Sequence, residues 1–347
     1  MMPLTRRAAL HCLTGALAIP ATTRADTLES LRVHATRRRL LYGCAASTPQ
    51  LHDAAFASAL AQEAGMLVAE YEMKRGHVEE ERGAHNFTAG DRLLTFADAH
   101  GMAFRGHTLC WHRSNPAWLE HAVASTRAAT LLTGYIQGVA SHYKGKIHSW
   151  DVLNEAIEPD DGRPDGLRNS FWLKTYGPSY IDMAFHAARE ADPKAILVYN
   201  DYGCEAGHAD NDRRRAAVLK FLEGALSRHV PLDALGLQGH LRAYGAQVDQ
   251  TKLRKFLDDV KALGLRVLVT EHDVSDVGEP ADAAMRDRAA ADTSRRFLDV
   301  VLANSATIAV LTWGLSDRYG ERGRRALPLD AELRRKPMWN SIAAAFG

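Results

Sequence analysis

The chain has 347 residues, 46% of them hydrophobic, enough for one large core. Its 43 Lys and Arg balance 42 Asp and Glu, which argues against a nucleic-acid surface and against a polyanionic substrate. A neutral polymer or a neutral small molecule suits that balance better.

At the N-terminus, Arg6 and Arg7 precede a mild apolar stretch from Ala8 to Ile19, followed by Pro20 and the small-residue site Thr23-Arg24-Ala25. The stretch falls short of the ~20 residues that a spanning helix needs. Residues 1–25 are therefore expected to form a twin-arginine-type signal peptide, which makes the protein periplasmic or secreted, with no membrane contact after signal removal. A disordered basic tail or a membrane anchor is the alternative. Cys12 lies in this segment. The remaining Cys44, Cys110 and Cys204 have neither a disulfide framework nor zinc spacing. Cys44 and Cys110 sit in apolar runs and read as core thiols.

From Thr27 to Arg39 a short charged helix is expected. Apolar strand candidates then follow at 40–45, 66–69, 102–109, 147–153, 195–199, 234–237, 266–270 and 307–312. Helix candidates alternate with them near 53–64, 89–100, 125–143, 179–191, 211–228, 248–263 and 281–303, and a last one at 339–346 closes the chain. Strands alternating with helices imply βα units and a parallel sheet. Eight units suit a closed barrel, so residues 26–347 are expected to form a single (β/α)8 TIM barrel, a size (~250 residues or more) commonly built as one domain.

Two of the strand candidates end alike. Ile147-His148-Ser149-Trp150-Asp151-Val152-Leu153-Asn154-Glu155 and Leu265-Arg266-Val267-Leu268-Val269-Thr270-Glu271 are mostly apolar and finish in a glutamate. A carboxylate at the C-terminal tip of a buried parallel strand is not a packing residue, and in a barrel that end carries the catalytic groups. A barrel brings these two tips to the same mouth. Two glutamates facing one cleft can cleave a glycosidic bond. The bland alternative, two salt-bridged surface glutamates, does not explain the apolar runs that lead into them.

An ordered set of motifs surrounds the pair. It comprises Glu72-Met73-Lys74, Arg105-Gly106-His107-Thr108-Leu109-Cys110-Trp111-His112, Tyr143-Lys144-Gly145-Lys146-Ile147, Asn200-Asp201-Tyr202, Gln238-Gly239-His240-Leu241, and Trp313-Gly314 with Asp317-Arg318-Tyr319. In this order and spacing the chain resembles the family 10 glycoside hydrolases, the β-1,4-xylanase family, from Tyr42 to Pro337. The resemblance implies that Glu155 is the acid/base and Glu271 the nucleophile of a retaining double displacement. Such enzymes place the carboxyl groups ~5–5.5 Å apart, one arriving protonated and the other ionised. It further implies that His240 hydrogen-bonds the nucleophile and that Asp273 orients His240. Glu70, Lys74, His107, Trp111, Asn200, Gln238 and Trp313 would line the glycone subsites, with Asn154 on the sugar 2-hydroxyl. Taken singly, His240 would more often be a satisfied core histidine, and Trp111 and Trp313 core aromatics. A metal site built from His107, His112, His240 and Asp273 lacks any usual ligand spacing. No metal and no cofactor is expected.

Three departures from the family pattern stand out, the first covering two positions of one motif. Tyr71 and Arg75 stand in Glu70-Tyr71-Glu72-Met73-Lys74-Arg75, where the family has Asn and Trp. Glu321 stands eight residues after Trp313, where the family has a second Trp, and His272 replaces a leucine between Glu271 and Asp273. All three are expected around the glycone site, which suggests retained chemistry with altered sugar preference. The leading reading is an endo-β-1,4-xylanase, expected to be a monomer acting on a β-linked polysaccharide or oligosaccharide. The alternatives are the same chemistry on another β-glycoside and, in a different class, a carbohydrate-binding barrel without turnover.

Overall fold

The computed structural model describes residues 29–277 and 282–347. The expected signal peptide lies outside the described residues. Nine β segments run β1 Leu41–Ala46, β2 Met66–Ala69, β3 Ala103–Cys110, β4 Ser149–Asn154, β5 Ile196–Asp201, β6 Ala234–Leu237, β7 His240–Arg242, β8 Arg266–Ser275 and β9 Thr307–Thr312. The pairings between them are all parallel. β1 to β6 pair in sequence, β6 skips the short β7 to pair with β8, β8 pairs with β9, and β9 returns to β1. The eight long strands thus close the expected barrel, with helices around it. Among the described residues no helix is long and apolar enough to cross a membrane.

Two apolar layers arise from strand alternation. Ala45, Met66, Val68, Val198, Ala234, Leu268, Ala309 and Leu311 fill the barrel interior. The opposite faces, with Val267, Val269 and Val310, pack on the helices. Small residues suit the interior because neighbouring strands approach closely there. A Cβ on Gly43 would lie 2.8 Å from that of Met66.

Most helices match their expected positions to within a few residues, and side-chain caps mark several starts. Asp53 accepts from the amides of Ala55 and Phe56, and Asp249 from those of Thr251 and Lys252. The helix expected at 125–143 is in fact two, Leu119–Thr126 and Thr130–His142. They break at Arg127, whose φ of 52° is left-handed. The first helix is also shorter than expected, Leu31–Arg37. Cys44, Cys110 and Cys204 are free and buried.

Candidate active site

Two irregularities in the sheet aim the functional side chains. The β4–β5 register shifts between Asp151 and Leu153, and the β8–β9 register shifts between Val269 and His272. Each shift lies just ahead of, or spans, one of the two glutamates. A bulge inserts an extra residue and re-aims the side chains beyond it. On β8, Leu268 points into the barrel, and both Thr270 and Glu271 then reach the interior hydrogen-bond cluster.

Glu155 comes directly after β4, with φ at 56°, a left-handed backbone that non-glycine residues seldom adopt. Two hydrogen bonds hold it there. Its amide donates to Asn200 O at 2.9 Å, and its carbonyl accepts from Arg168 Nε at 2.8 Å. The carboxylate, partly exposed to the cleft, accepts from Trp111 Nε1 (3.0 Å), Gln238 Nε2 (3.2 Å) and Asn154 Nδ2 (3.3 Å). Arg168 is itself fixed by Glu158 and by the Tyr202 hydroxyl, each at 3.0 Å.

Glu271 is 5% exposed. Its Oε1 accepts from Asn200 Nδ2 at 2.8 Å, and its Oε2 meets His240 Nε2 at 3.2 Å. His240 Nδ1 in turn lies 3.0 Å from Asp273 Oδ2. Burial works against ionisation of Glu271. The His240 hydrogen bond, the charges of His107 and His240, and the Asn200 amide outweigh it and bring the carboxyl down to about 2. Desolvation likewise works against a charged His240, but Asp273 and then Glu271 raise it well above its ordinary value. Glu271 is thus held ionised and the histidine beside it protonated.

Asn200 links the two carboxylates. Its amide nitrogen also donates to Asn154 Oδ1 at 2.8 Å, and its Oδ1 accepts the Thr270 hydroxyl at 2.7 Å. Gly236 leaves room for it, because a Cβ there would sit 2.4 Å from Asn200 Oδ1. His107 Nδ1 bonds Asp151 at 2.8 Å and lies 3.9 Å from Glu271. Asp151 is paired with Arg105, and both are fully buried. The Lys74 ammonium lies 5.1, 5.4 and 5.5 Å from the ring centroids of Tyr71, Trp111 and Trp313. Burial lowers its pKa, opposed by Glu271, Glu70, Glu155 and Glu72. Glu70, its carboxyl pushed up by burial, accepts from Gln50. Glu70, Tyr71, Asp273, Trp313 and Glu321 line a cavity of about 410 Å³ on this side.

The residues singled out from sequence therefore meet in one cleft. His272 does not join them. Its side chain points away from the cleft, fully buried, with Nδ1 2.9 Å from Gly239 O and Nε2 2.9 Å from Ser294 Oγ. Strand alternation explains the correction, since Glu271 and Asp273 face the cleft and His272 between them faces the helix Ala283–Val301. Arg75 also lies apart, 4% exposed, paired with Glu79 and 4.2 Å from the Tyr135 ring. Sequence reasoning missed the supports Arg105, Asp151, Thr270 and Arg168. Asp151 and Thr270 carried a readable signal, being polar residues inside apolar strand runs. Among the described residues no group of three or more His, Cys, Asp or Glu is arranged to hold a metal ion.

A family profile described as Glycosyl hydrolase family 10 matches residues 30–345. The chain belongs to glycosyl hydrolase family 10. It is 31% identical over 290 residues to endo-1,4-beta-xylanase B of Thermotoga neapolitana, covering 81% of this chain and 80% of that protein. It is 32% identical over 306 residues to endo-1,4-beta-xylanase B of Neocallimastix patriciarum, covering 87% of this chain but only 34% of that longer protein. Among solved structures, xylanase 10B from Thermotoga maritima superposes with a TM-score of 0.82 at 30% identity, covering 91% of this chain and 98% of that one. Xylanase 10B from Thermotoga petrophila RKU-1 in complex with xylobiose gives 0.83 at 29%, covering 91% and 97%. Membership of family 10 places the chain among the glycoside hydrolases.

Proposed function

We propose that the protein hydrolyses β-1,4-xylosidic bonds in xylan or xylo-oligosaccharides, with retention of configuration. The observation that carries this reading is the coupled pair of carboxylates in one cleft. Glu271 is buried yet held ionised by His240, His107 and Asn200, while Glu155 is cleft-facing and joined to Glu271 through Asn154 and Asn200. Glu271 attacks the anomeric carbon while Glu155 gives its proton to the departing oxygen. The ester removes the charge of Glu271, and Glu155 then takes a proton from the incoming water. Asn154, beside both groups, receives the sugar 2-hydroxyl, and Trp111 and Trp313 offer apolar faces to pyranose rings. The xylanase relatives support the choice of sugar.

A second reading keeps the chemistry and changes the glycone. Tyr71 and Glu321 both line the cavity beside Glu70, Asp273 and Trp313, which favours substrates with an altered or substituted sugar there. The test is a panel of xylan, glucan, β-xylosides and β-glucosides, with products separated by size. Cleavage of xylan to short oligomers is expected. Turnover of another β-glycoside with none of any xyloside would replace the first reading by the second. Binding without turnover of any substrate would leave only a carbohydrate-binding barrel. We also propose that residues 1–25 direct export by the twin-arginine route and that the mature protein acts as a monomer.

A further inference from the structure

The turn between β6 and β7 carries one partner for each catalytic carboxylate. Gln238 donates to Glu155 at 3.2 Å and His240 meets Glu271 at 3.2 Å. Between them lies Gly239, at φ 75°. Its peptide groups are held from two sides. The amide donates to Glu205 Oε1 at 3.1 Å, and the carbonyl faces His272 Nδ1 at 2.9 Å. A carbonyl only accepts, so Nδ1 carries the proton and Nε2 accepts from the Ser294 hydroxyl at 2.9 Å. Glu205 is 2% exposed and His272 fully buried. A buried histidine with both nitrogens satisfied, set between a barrel strand and the helix Ala283–Val301, has one fixed position and one fixed tautomer.

We propose that His272 and Glu205 are positioning residues for catalysis: by clamping the two sides of Gly239 they set where Gln238 and His240 stand relative to Glu155 and Glu271. Neither reaches into the cleft. Their effect passes through the turn, so losing the clamp displaces His240 from Glu271 more than it disturbs sugar binding. The inference rests on the two-glutamate reading above, but the clamp has a readout that needs no substrate.

The groups facing Glu271 are His240, His107, Asn200 and Lys74. Those facing His272 are the Gly239 carbonyl, Ser294, the Phe297 ring, Asp273 along the strand and His240 on the neighbouring β7, and those facing His240 are Asp273, Glu271 and Glu205. Burial lowers His272 itself to about 4, so it stays neutral through the working range and does not add a titration of its own. A His240 that has drifted away supports the charge on Glu271 less. The acidic limb of activity then moves to higher pH.

The test compares His272→Asn, whose side-chain amide can donate from the place of Nδ1, with His272→Leu, which cannot. Each folded variant is assayed for kcat, KM and pH profile on an aryl β-xylobioside, and His240 is followed by NMR titration of its imidazole. His272→Leu should lose roughly tenfold to a hundredfold in kcat, the scale of a small misplacement of catalytic groups. KM should change little, the acidic limb should rise, and the His240 pKa should fall. His272→Asn should restore most of both. Glu205→Gln against Glu205→Ala gives the same contrast from the amide side and serves if His272→Leu does not fold. Equal behaviour of the variants that keep the hydrogen bond to Gly239 and those that lose it, with His240 titrating as in the wild type, would overturn the proposal. A wild-type protein inactive on every β-glycoside would sink the xylanase reading, while the His240 titration would still judge the clamp.

Discussion

At the residue scale the cleft holds two glutamates made unequal by their surroundings. Glu155→Ala should lose activity according to the leaving group. On polymer, where the departing oxygen needs a proton, the loss should be ~10²–10⁴-fold, and on an aryl glycoside with a good leaving group the first step should lose much less. Equal losses measured on both substrates would contradict the acid role. Glu271 is lowered to about 2, below its ordinary value, so its ionised form is the one the fold favours. That contribution to stability is present above the ordinary carboxylate range and is lost as the pH falls toward 2. For His240, raised well above its ordinary value, the sign is opposite. Its contribution is present at and below neutral pH and is lost as the pH rises through the folded-state pKa. Asp273→Asn weakens the hold on charged His240, which then supports the charge on Glu271 less, so the acidic limb of kcat/KM should move up. An acidic limb unchanged from the wild type would remove Asp273 from the relay.

At the element scale, the strands were legible because each is a short apolar run, and the two cleft glutamates because each ends such a run. The direction of His272 was not legible as a family departure. It emerges only from counting faces along β8, and the shift between Val269 and His272 upsets a simple count there. Likewise nothing in Thr126-Arg127-Ala128 announces a helix break. Arg127 takes the left-handed turn without glycine, and its guanidinium donates to Thr175 O at 2.8 Å. The β3–β4 seam carries a further expectation. Arg105 and Asp151 are both fully buried and paired, and Asp151 also holds His107. Asp151→Ala leaves a buried guanidinium without its partner, so it should destabilise the fold by roughly 3–5 kcal/mol. Chemical denaturation of the variant checks this, and a change under about 1 kcal/mol would mean that solvent or another group takes over.

At the scale of the whole molecule, a closed barrel collects residues from many strand ends into one mouth, which is why an ordered set of short motifs spread over the chain could be read as one site. The cavity between the β2 and β9 ends was not readable as a volume, although Tyr71 and Glu321, which line it, were. If those two set the glycone preference, Tyr71→Asn with Glu321→Trp should improve kcat/KM on plain xylo-oligosaccharides, by the roughly 1–3 kcal/mol of a polar contact and a stacking face. No gain in a folded double variant would leave the departures neutral. Cys44, Cys110 and Cys204 are buried, with burial raising each thiol's pKa. A thiol reagent should therefore find none of them in the native protein and all three after denaturation. The central claim is the covalent role of Glu271, and the most direct measurement traps it. A 2-fluoro β-xylobioside with an activated leaving group should inactivate the enzyme with one glycosyl unit added, and peptide mapping by mass spectrometry should place that unit on Glu271. Turnover without an adduct, or an adduct on any other residue, would contradict the account.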